Sequence, residues 1–467
     1  MYEKKEGAIY DAKTLGIPKM LILGLQHMFA MFGATILVPI LISGYLTEAV
    51  GAAPSRGLTV SVTLFCAGFG TLVFHLCSKL QVPAFLGSSF AFLGGFFTIA
   101  NLDTGIYANM SANDRAAYMC GGIVVAGLLY FILALIIKLA GVNRVMKFLP
   151  PVVTGPIIIC IGLSLAPSAV SNASNNWLLA IIALGVIIIF NIWGKGLFKI
   201  IPILMGVIIS YVCAVIFNAC GMLNADGSAI LNFKAVADAG IVGLPQFQLC
   251  KFDFTAILVM APIAIAAMME HIGDMSAISA TVGKNFLAEP GLHRTLFGDG
   301  LATSLSGLIG GPANTTYGEN TGVLELSKVY DPIVIRIAAV FAIVLSFIPK
   351  FSAIISTMPT AIIGGVSFML YGMISAIGVR NVVENKVDLT KSRNLIIAGV
   401  IFVCGLGFSN GLTFEIAGTS ITLTALAIAA IAGILLNAIL PGNDYEFGKN
   451  PEGDKSRGVY VSNTDEK

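Results

Sequence analysis

The sequence predicts an all-α polytopic membrane protein whose fourteen transmembrane segments form two inverted repeats of seven. Three observations carry that prediction: the composition, the spacing of the apolar runs, and a matched pair of interrupted runs. The 467 residues are 57% hydrophobic and only 11% charged, with a mean hydropathy of +0.90, where an ordinary soluble domain carries about 25% charged residues. A soluble globular protein is thereby excluded. So is a single-span receptor, because this length accommodates about 12 to 14 apolar spans of roughly 20 residues each.

Breaking the apolar runs at charged, Pro-rich or Gly-rich stretches gives spans at 19–45, 57–78, 84–100, 117–140, 145–169, 176–193 and 197–221, then 254–281, 295–311, 316–328, 332–349, 357–378, 393–410 and 416–440. The first run is too long for a signal-peptide core and lacks a small-residue cleavage site, so it is expected to stay in the mature chain. Placing the N-terminus in the cytoplasm leaves only Arg56, Arg115, Lys234, Lys251 and Lys350 outside and puts 22 of the 27 Lys and Arg inside. By the positive-inside rule both termini are cytoplasmic. From Pro441 to Lys467 the chain is polar and rich in Gly, Asn and Asp, a composition that predicts a mobile tail.

Two spans break the helical pattern. The third reads Pro83-Ala-Phe-Leu-Gly-Ser-Ser-Phe90-Ala-Phe-Leu-Gly-Gly95, and the tenth Gly310-Gly-Pro-Ala-Asn-Thr-Thr-Tyr-Gly318-Glu-Asn-Thr-Gly322. Each is third in its half of seven, and an odd number of spans inverts the second half relative to the first. Interrupted spans at matching positions of inverted halves point to a transporter's midplane binding site, where non-helical backbone is tolerated because it faces a polar cavity. The plainer alternative is close packing of small residues between helices.

Ionisable groups near the bilayer centre cost at least ~2.5–3.5 kcal/mol on insertion scales, so each one asks for a partner or a role. Span 8 carries Glu270, His271 and Asp274, and span 10 carries Glu319, with Glu325 near its inner end. Glu270 and Asp274 are four apart and share a helix face, where like charges repel. His271 is turned away from Glu270 and reads as a hydrogen-bonded packing residue, while Glu325 reads as solvated. His27, beside Gln26 in the first span, suits a brace for span 8 or 10, with a direct role as the alternative. His75 and His293 command no role.

Two carboxylates beside two interrupted backbones offer side-chain acceptors and main-chain donors. A small planar ligand with alternating N–H donors and C=O acceptors, such as a nucleobase, matches that set. A sulfate-like anion would require Arg or Lys, which the central stretches of spans 8 and 10 lack. Carboxylates also exchange protons, and one charge moved across 100 mV is worth about 2.3 kcal/mol, enough for roughly 50-fold accumulation. The net charge of +2, with no gathering of basic residues on one face, excludes a nucleic-acid partner. The eight Cys lack metal spacing and read as core residues, so no metal and no cofactor is expected beyond the proton as coupling ion.

Gln26-His-Met-Phe-Ala-Met-Phe-Gly-Ala-Thr35 with Val38-Pro39, the Pro83–Phe92 stretch, Glu270-His-Ile-Gly273, Pro290-Gly-Leu-His-Arg294 and Asn314-Thr-Thr-Tyr-Gly-Glu-Asn320 closely resemble the nucleobase–ascorbate transporter (nucleobase:cation symporter-2) family, in its bacterial uracil:proton symporter branch. The resemblance runs from about residue 15 to 440, and Asn314–Asn320 is its most discriminating motif. It implies short strand-like pieces in spans 3 and 10. It also implies a cytoplasmic N-terminus (1–18), a core domain of spans 1–4 (19–140) and 8–11 (254–350), a gate domain of spans 5–7 (141–253) and 12–14 (351–440), and a tail (441–467).

By the same resemblance Glu270 accepts hydrogen bonds from uracil ring N–H groups, and the backbone N–H groups of Phe90 and Gly318 meet its carbonyls. Tyr317 and Tyr371 line or close the site, with Ala34 packed nearby. Glu319 lies at the ligand and couples protons, with Asp274, Glu270 and His27 as further members of the relay. The implied activity is uracil import in symport with a proton by alternating access, in a homodimer of the inner (plasma) membrane. Asp274 stands where the uracil branch would place a histidine and is shared with purine carriers, so a xanthine or urate permease remains the alternative. From another class, a passive channel would need no titrating carboxylates at its midplane. An enzyme is disfavoured, because Glu270-His-Ile-Gly-Asp is not a zinc-protease motif and no Ser/His pair shares a face.

Overall fold

In lipid a chain must satisfy its own backbone, and long runs rich in Leu, Ile, Val and Ala do so as helices. The computed structural model describes residues 7–103, 105–408, 411–416, 419–442 and 445, without the side chains of 197, 200, 319, 415, 416 and 419–421, and among the described residues it accordingly consists mainly of helices, with four short strands. The expected mobile tail, apart from 441, 442 and 445, lies outside the described residues.

The first half runs α1 (Ile17–Val50), α2 (Val60–Cys77), β1 (Leu86–Ser88), a single turn at Phe90–Phe92, α3 (Leu93–Ala100), α4 (Ala112–Ala140), α5 (Val142–Met146), α6 (Pro151–Ser164), α7 (Ala166–Ser174), α8 (Trp177–Trp193), α9 (Leu197–Ile200), α10 (Pro202–Ala219) and α11 (Lys234–Asp238). The second half runs α12 (Phe254–Met260), α13 (Ile263–Val282), α14 (Leu292–Leu308), β2 (Asn314–Thr316), α15 (Gly318–Ser327), α16 (Pro332–Ser346), α17 (Pro349–Ser356), α18 (Thr360–Glu384), α19 (Ser392–Gly407), β3 (Leu412–Ile416), β4 (Thr419–Leu423) and α20 (Ala425–Ile439).

Among the described residues seven helices are long and apolar enough to cross a membrane, and the pair α16 and α17, bent by 85°, makes an eighth span if counted as one. Shorter apolar helices at Phe90–Ala100, Trp177–Trp193, Ser392–Gly407 and Ala425–Ile439 occupy other expected spans. Several boundaries shift by a few residues from expectation, among them the end of the first span, at Val50 rather than 45, and the start of the fifth, at Pro151 rather than 145; two of the shifts have a plain physical cause. The last span begins at Ala425 rather than 416, because the preceding β-branched and aromatic residues form the β3–β4 hairpin, the geometry that such side chains favour. The span expected to run to 349 ends at Ser346, and Pro349 opens α17, its fixed φ and missing N–H suiting a helix start. Cys220 is exposed rather than in the core, since it follows the last turn of α10.

The packing falls into two groups of helices. α1, α2, α4, α14 and α16 pack on one another; α6, α7 and α8 pack on α18, α10 packs on α8, and α19 on α6 and α20. α13 touches both groups, through α14, α15 and β2 on one side and α6 and α20 on the other. The chain before α1 also docks: Ile9 N–H donates to Lys328 O at 2.9 Å, Tyr330 N–H donates to Ile9 O at 2.8 Å, and the Tyr10 hydroxyl donates to Val282 O at 2.7 Å. These bonds tie the end of α13 to the connection between α15 and α16.

Candidate functional site

The two interrupted segments meet. Leu86 pairs with Thr316, Gly87 with Thr315 and Ser88 with Asn314 in an antiparallel ladder, extended by Ser89 N–H to Ala313 O at 2.8 Å and Tyr317 N–H to Phe85 O at 2.9 Å. Backbone that leaves the helix at membrane depth thus finds its partners in the other interruption. Each strand is also bonded to the helix before it. The Thr71 hydroxyl of α2 accepts from Leu86 N–H at 2.9 Å, and the Thr303 hydroxyl of α14 donates to Asn314 O at 2.9 Å.

A helix or helical turn opens immediately after each strand, at Phe90 and at Gly318. The first N–H groups of a helix have no partner within it, so Phe90 and Gly318 offer main-chain donors beside the strand pair. α13 packs against the Phe90–Phe92 turn, β2 and α15, which brings the helix of Glu270 and Asp274 across both interruptions. Glu270 is half-buried and Asp274 buried. The Asp274 carboxylate lies against the start of α15, with Oδ1 3.2 Å from where a Cβ on Gly318 would stand.

Tyr317 is buried. Its hydroxyl donates to Ser88 O at 2.9 Å and accepts from Thr35 Oγ1 at 3.3 Å, while Ser88 Oγ donates to Thr35 O at 2.9 Å. Tyr317 therefore ties β2 to β1 and to α1. Its ring lies over Gly87, where any Cβ would fall 2.4 Å from ring carbons, so only glycine fits there. Ala34, adjacent to Thr35, is fully buried. Tyr371 of α18 meets Phe90 edge-on, with ring centroids 6.0 Å apart, and so links the strand region to the other group of helices. His27 of α1 is fully buried and braces the tenth span: Asn320 Nδ2 donates to His27 O at 3.2 Å and lies 3.4 Å from its Nδ1. Glu319 has its backbone in the first turn of α15, and its side chain lies outside the described residues.

The profile of the Permease family matches residues 18–414. The chain belongs to this family, the nucleobase:cation symporter-2 permeases. The uracil permease of Bacillus caldolyticus is 41% identical to this permease over 449 residues, 93% of this chain and 94% of the relative. That of Bacillus subtilis is 40% identical, covering 89% and 91%, and that of Escherichia coli strain K12 is 35% identical, covering 89% and 90%. Among solved structures, the transmembrane domain of the cyanobacterial bicarbonate transporter BicA matches with a TM-score of 0.60 at 16% identity, over 86% of this chain and 98% of that one. Murine Solute Carrier 26 family member A9 matches with a TM-score of 0.58 at 10% identity, over 94% and 73%. At such identities the likeness concerns the fold. The chain is a multi-pass membrane permease, not an enzyme.

One buried acid escaped the sequence reading. Asp299 of α14 is fully buried, and its Oδ2 lies 3.2 Å from His271 Nδ1. The available signal was the one applied to Glu270, an acidic residue inside an apolar run.

Proposed function

We propose that this permease imports uracil together with a proton by alternating access. The observation that carries the reading is the pairing of β1 with β2, with α13, the helix of Glu270 and Asp274, packed against β2, α15 and the Phe90–Phe92 turn. Uracil presents ring N–H groups and carbonyls in alternation. Glu270 accepts from the N–H groups, and the main chain at Phe90 and Gly318 donates to the carbonyls. Tyr317 holds the strand pair in shape, and Tyr371 meets Phe90 from α18 as the closing contact, with Ala34 packed behind. Glu319, next to Gly318, takes and returns the coupling proton, with Asp274 beside the α15 start and His27 bracing Asn320.

The two packing groups support a core domain of spans 1–4 and 8–11 moving against a gate domain of spans 5–7 and 12–14. The matched Thr71 and Thr303 bonds support fourteen spans in two inverted repeats. Charge asymmetry supports cytoplasmic termini in the inner (plasma) membrane, and the family resemblance supports a homodimer. Asp274 favours a second reading, a xanthine or urate carrier.

The deciding experiment is uptake of labelled uracil into proteoliposomes with and without an inward proton gradient, competed by thymine, xanthine and urate. Gradient-driven uptake that purines do not block supports uracil symport. Xanthine uptake without uracil uptake replaces it with the purine reading.

A further inference from the structure

Glu270 and His271 are consecutive on α13, so their side chains leave the helix about 100° apart. His271 enters a closed seam between α13, α14, α2 and β2. Its Nδ1 lies 2.7 Å from Thr316 Oγ1 of β2 and 3.2 Å from Asp299 Oδ2 of α14, and its ring meets Phe74 of α2 edge-on at 6.2 Å. Both side chains of the pair have zero exposure.

The glycines around Asp299 explain how the seam closes. A Cβ on Gly298 would fall 3.0 Å from Cys77 Cβ on α2, and one on Gly300 would fall 2.4 Å from Tyr130 Cβ on α4. α14 is thus held tightly against both neighbours exactly where the carboxylate sits. Among the described residues neither Asp299 oxygen has a conventional hydrogen-bond partner, and neither does His271 Nε2. His271 Nδ1, 3.2 Å away, gives this carboxylate a polar partner at a depth where a lone charge is costly.

We propose that Asp299 and His271 are positioning residues for the substrate site. They fix the rotation and height of α13 against α14 and, through Thr316, against the β1–β2 pair, and so set Glu270 relative to Phe90 and Gly318. The inference rests on Glu270 as the uracil-binding carboxylate. Directional contacts to two other elements leave the helix little freedom, and a displacement of about 1 Å at a binding group can cost on the order of 100-fold.

The test is the initial rate of labelled uracil uptake by the reconstituted protein as a function of uracil concentration. Asp299→Ala is expected to raise KM by about tenfold or more, whereas Asp299→Asn, which keeps an oxygen facing His271, stays within about threefold of the parent. A purely structural pair would lower the yield or thermal stability of both variants at unchanged KM, and an unchanged KM in folded Asp299→Ala overturns the proposal. His271→Asn and His271→Leu make the same comparison from the other side if Asp299→Ala does not fold: the asparagine, whose Nδ2 replaces Nδ1, should retain the parent KM and the leucine should not. Equal KM values for those two overturn it as well. Glu270→Gln keeps the two readings separable. If that variant leaves KM unchanged, the Glu270 assignment falls; if it raises KM and Asp299→Ala does not, the positioning role falls alone.

Discussion

The Asp274 carboxylate rests against the backbone of Gly318, where a Cβ would stand 3.2 Å from Oδ1. Gly318 opens α15, and the start of a helix favours a negative charge through its free N–H groups and dipole, typically by about 0.3–1 kcal/mol. The close approach exists because residue 318 lacks a side chain. Gly318→Ala is therefore expected to displace the Asp274 carboxylate by a few tenths of an ångström while sparing the helix, since alanine is the better helix former. Uracil uptake should fall with the thermal unfolding midpoint unchanged or raised; a drop in both would assign Gly318 to folding instead.

Asp274→Asn keeps the shape at this contact and removes the charge. Proton-driven accumulation should decline while uracil exchange between equal concentrations continues. Parallel measurement of gradient-driven uptake and equilibrium exchange checks this, and equal losses in both would remove Asp274 from the coupling.

Glu319→Gln should give a steeper version of the same split, because Glu319 directly follows the Gly318 donor. Uptake measured at several external pH values is expected to lose its dependence on the imposed gradient. A gradient dependence identical to that of the parent would exclude Glu319 as the coupling group.

Thr71 and Thr303 bond to matching strands with opposite polarity. Thr71→Val leaves the Leu86 N–H without its side-chain acceptor, whereas Thr303→Val leaves only a carbonyl short of one donor. Buried N–H groups tolerate the loss less well, so Thr71→Val should destabilise by about 1–3 kcal/mol and Thr303→Val by less. Denaturant unfolding of the two purified variants compares them directly.

Much of this architecture is legible in the sequence. Glycine, proline and hydroxyl residues at 83–95 and 310–322 announce two places where helix fails, and both are interrupted by strands. Their pairing register is not legible, because it is set by contacts between segments more than 200 residues apart: Thr35, Ser88 and Tyr317 meet only in the folded chain. The span expected from 416 takes in β4, since hydropathy alone does not separate a short apolar strand from a helix end. Asp299 shows the same limit at the site. Its residue type was visible, but its partner, His271, comes from another helix.

The central claim is that Glu270 accepts hydrogen bonds from the bound nucleobase, and equilibrium binding of labelled uracil to purified parent and Glu270→Gln protein tests it most directly. Replacing a charged acceptor with an amide should cost about 1.5–3 kcal/mol, a roughly 10- to 150-fold rise in Kd. An unchanged Kd in a folded Glu270→Gln protein would contradict the account and move the binding site away from α13.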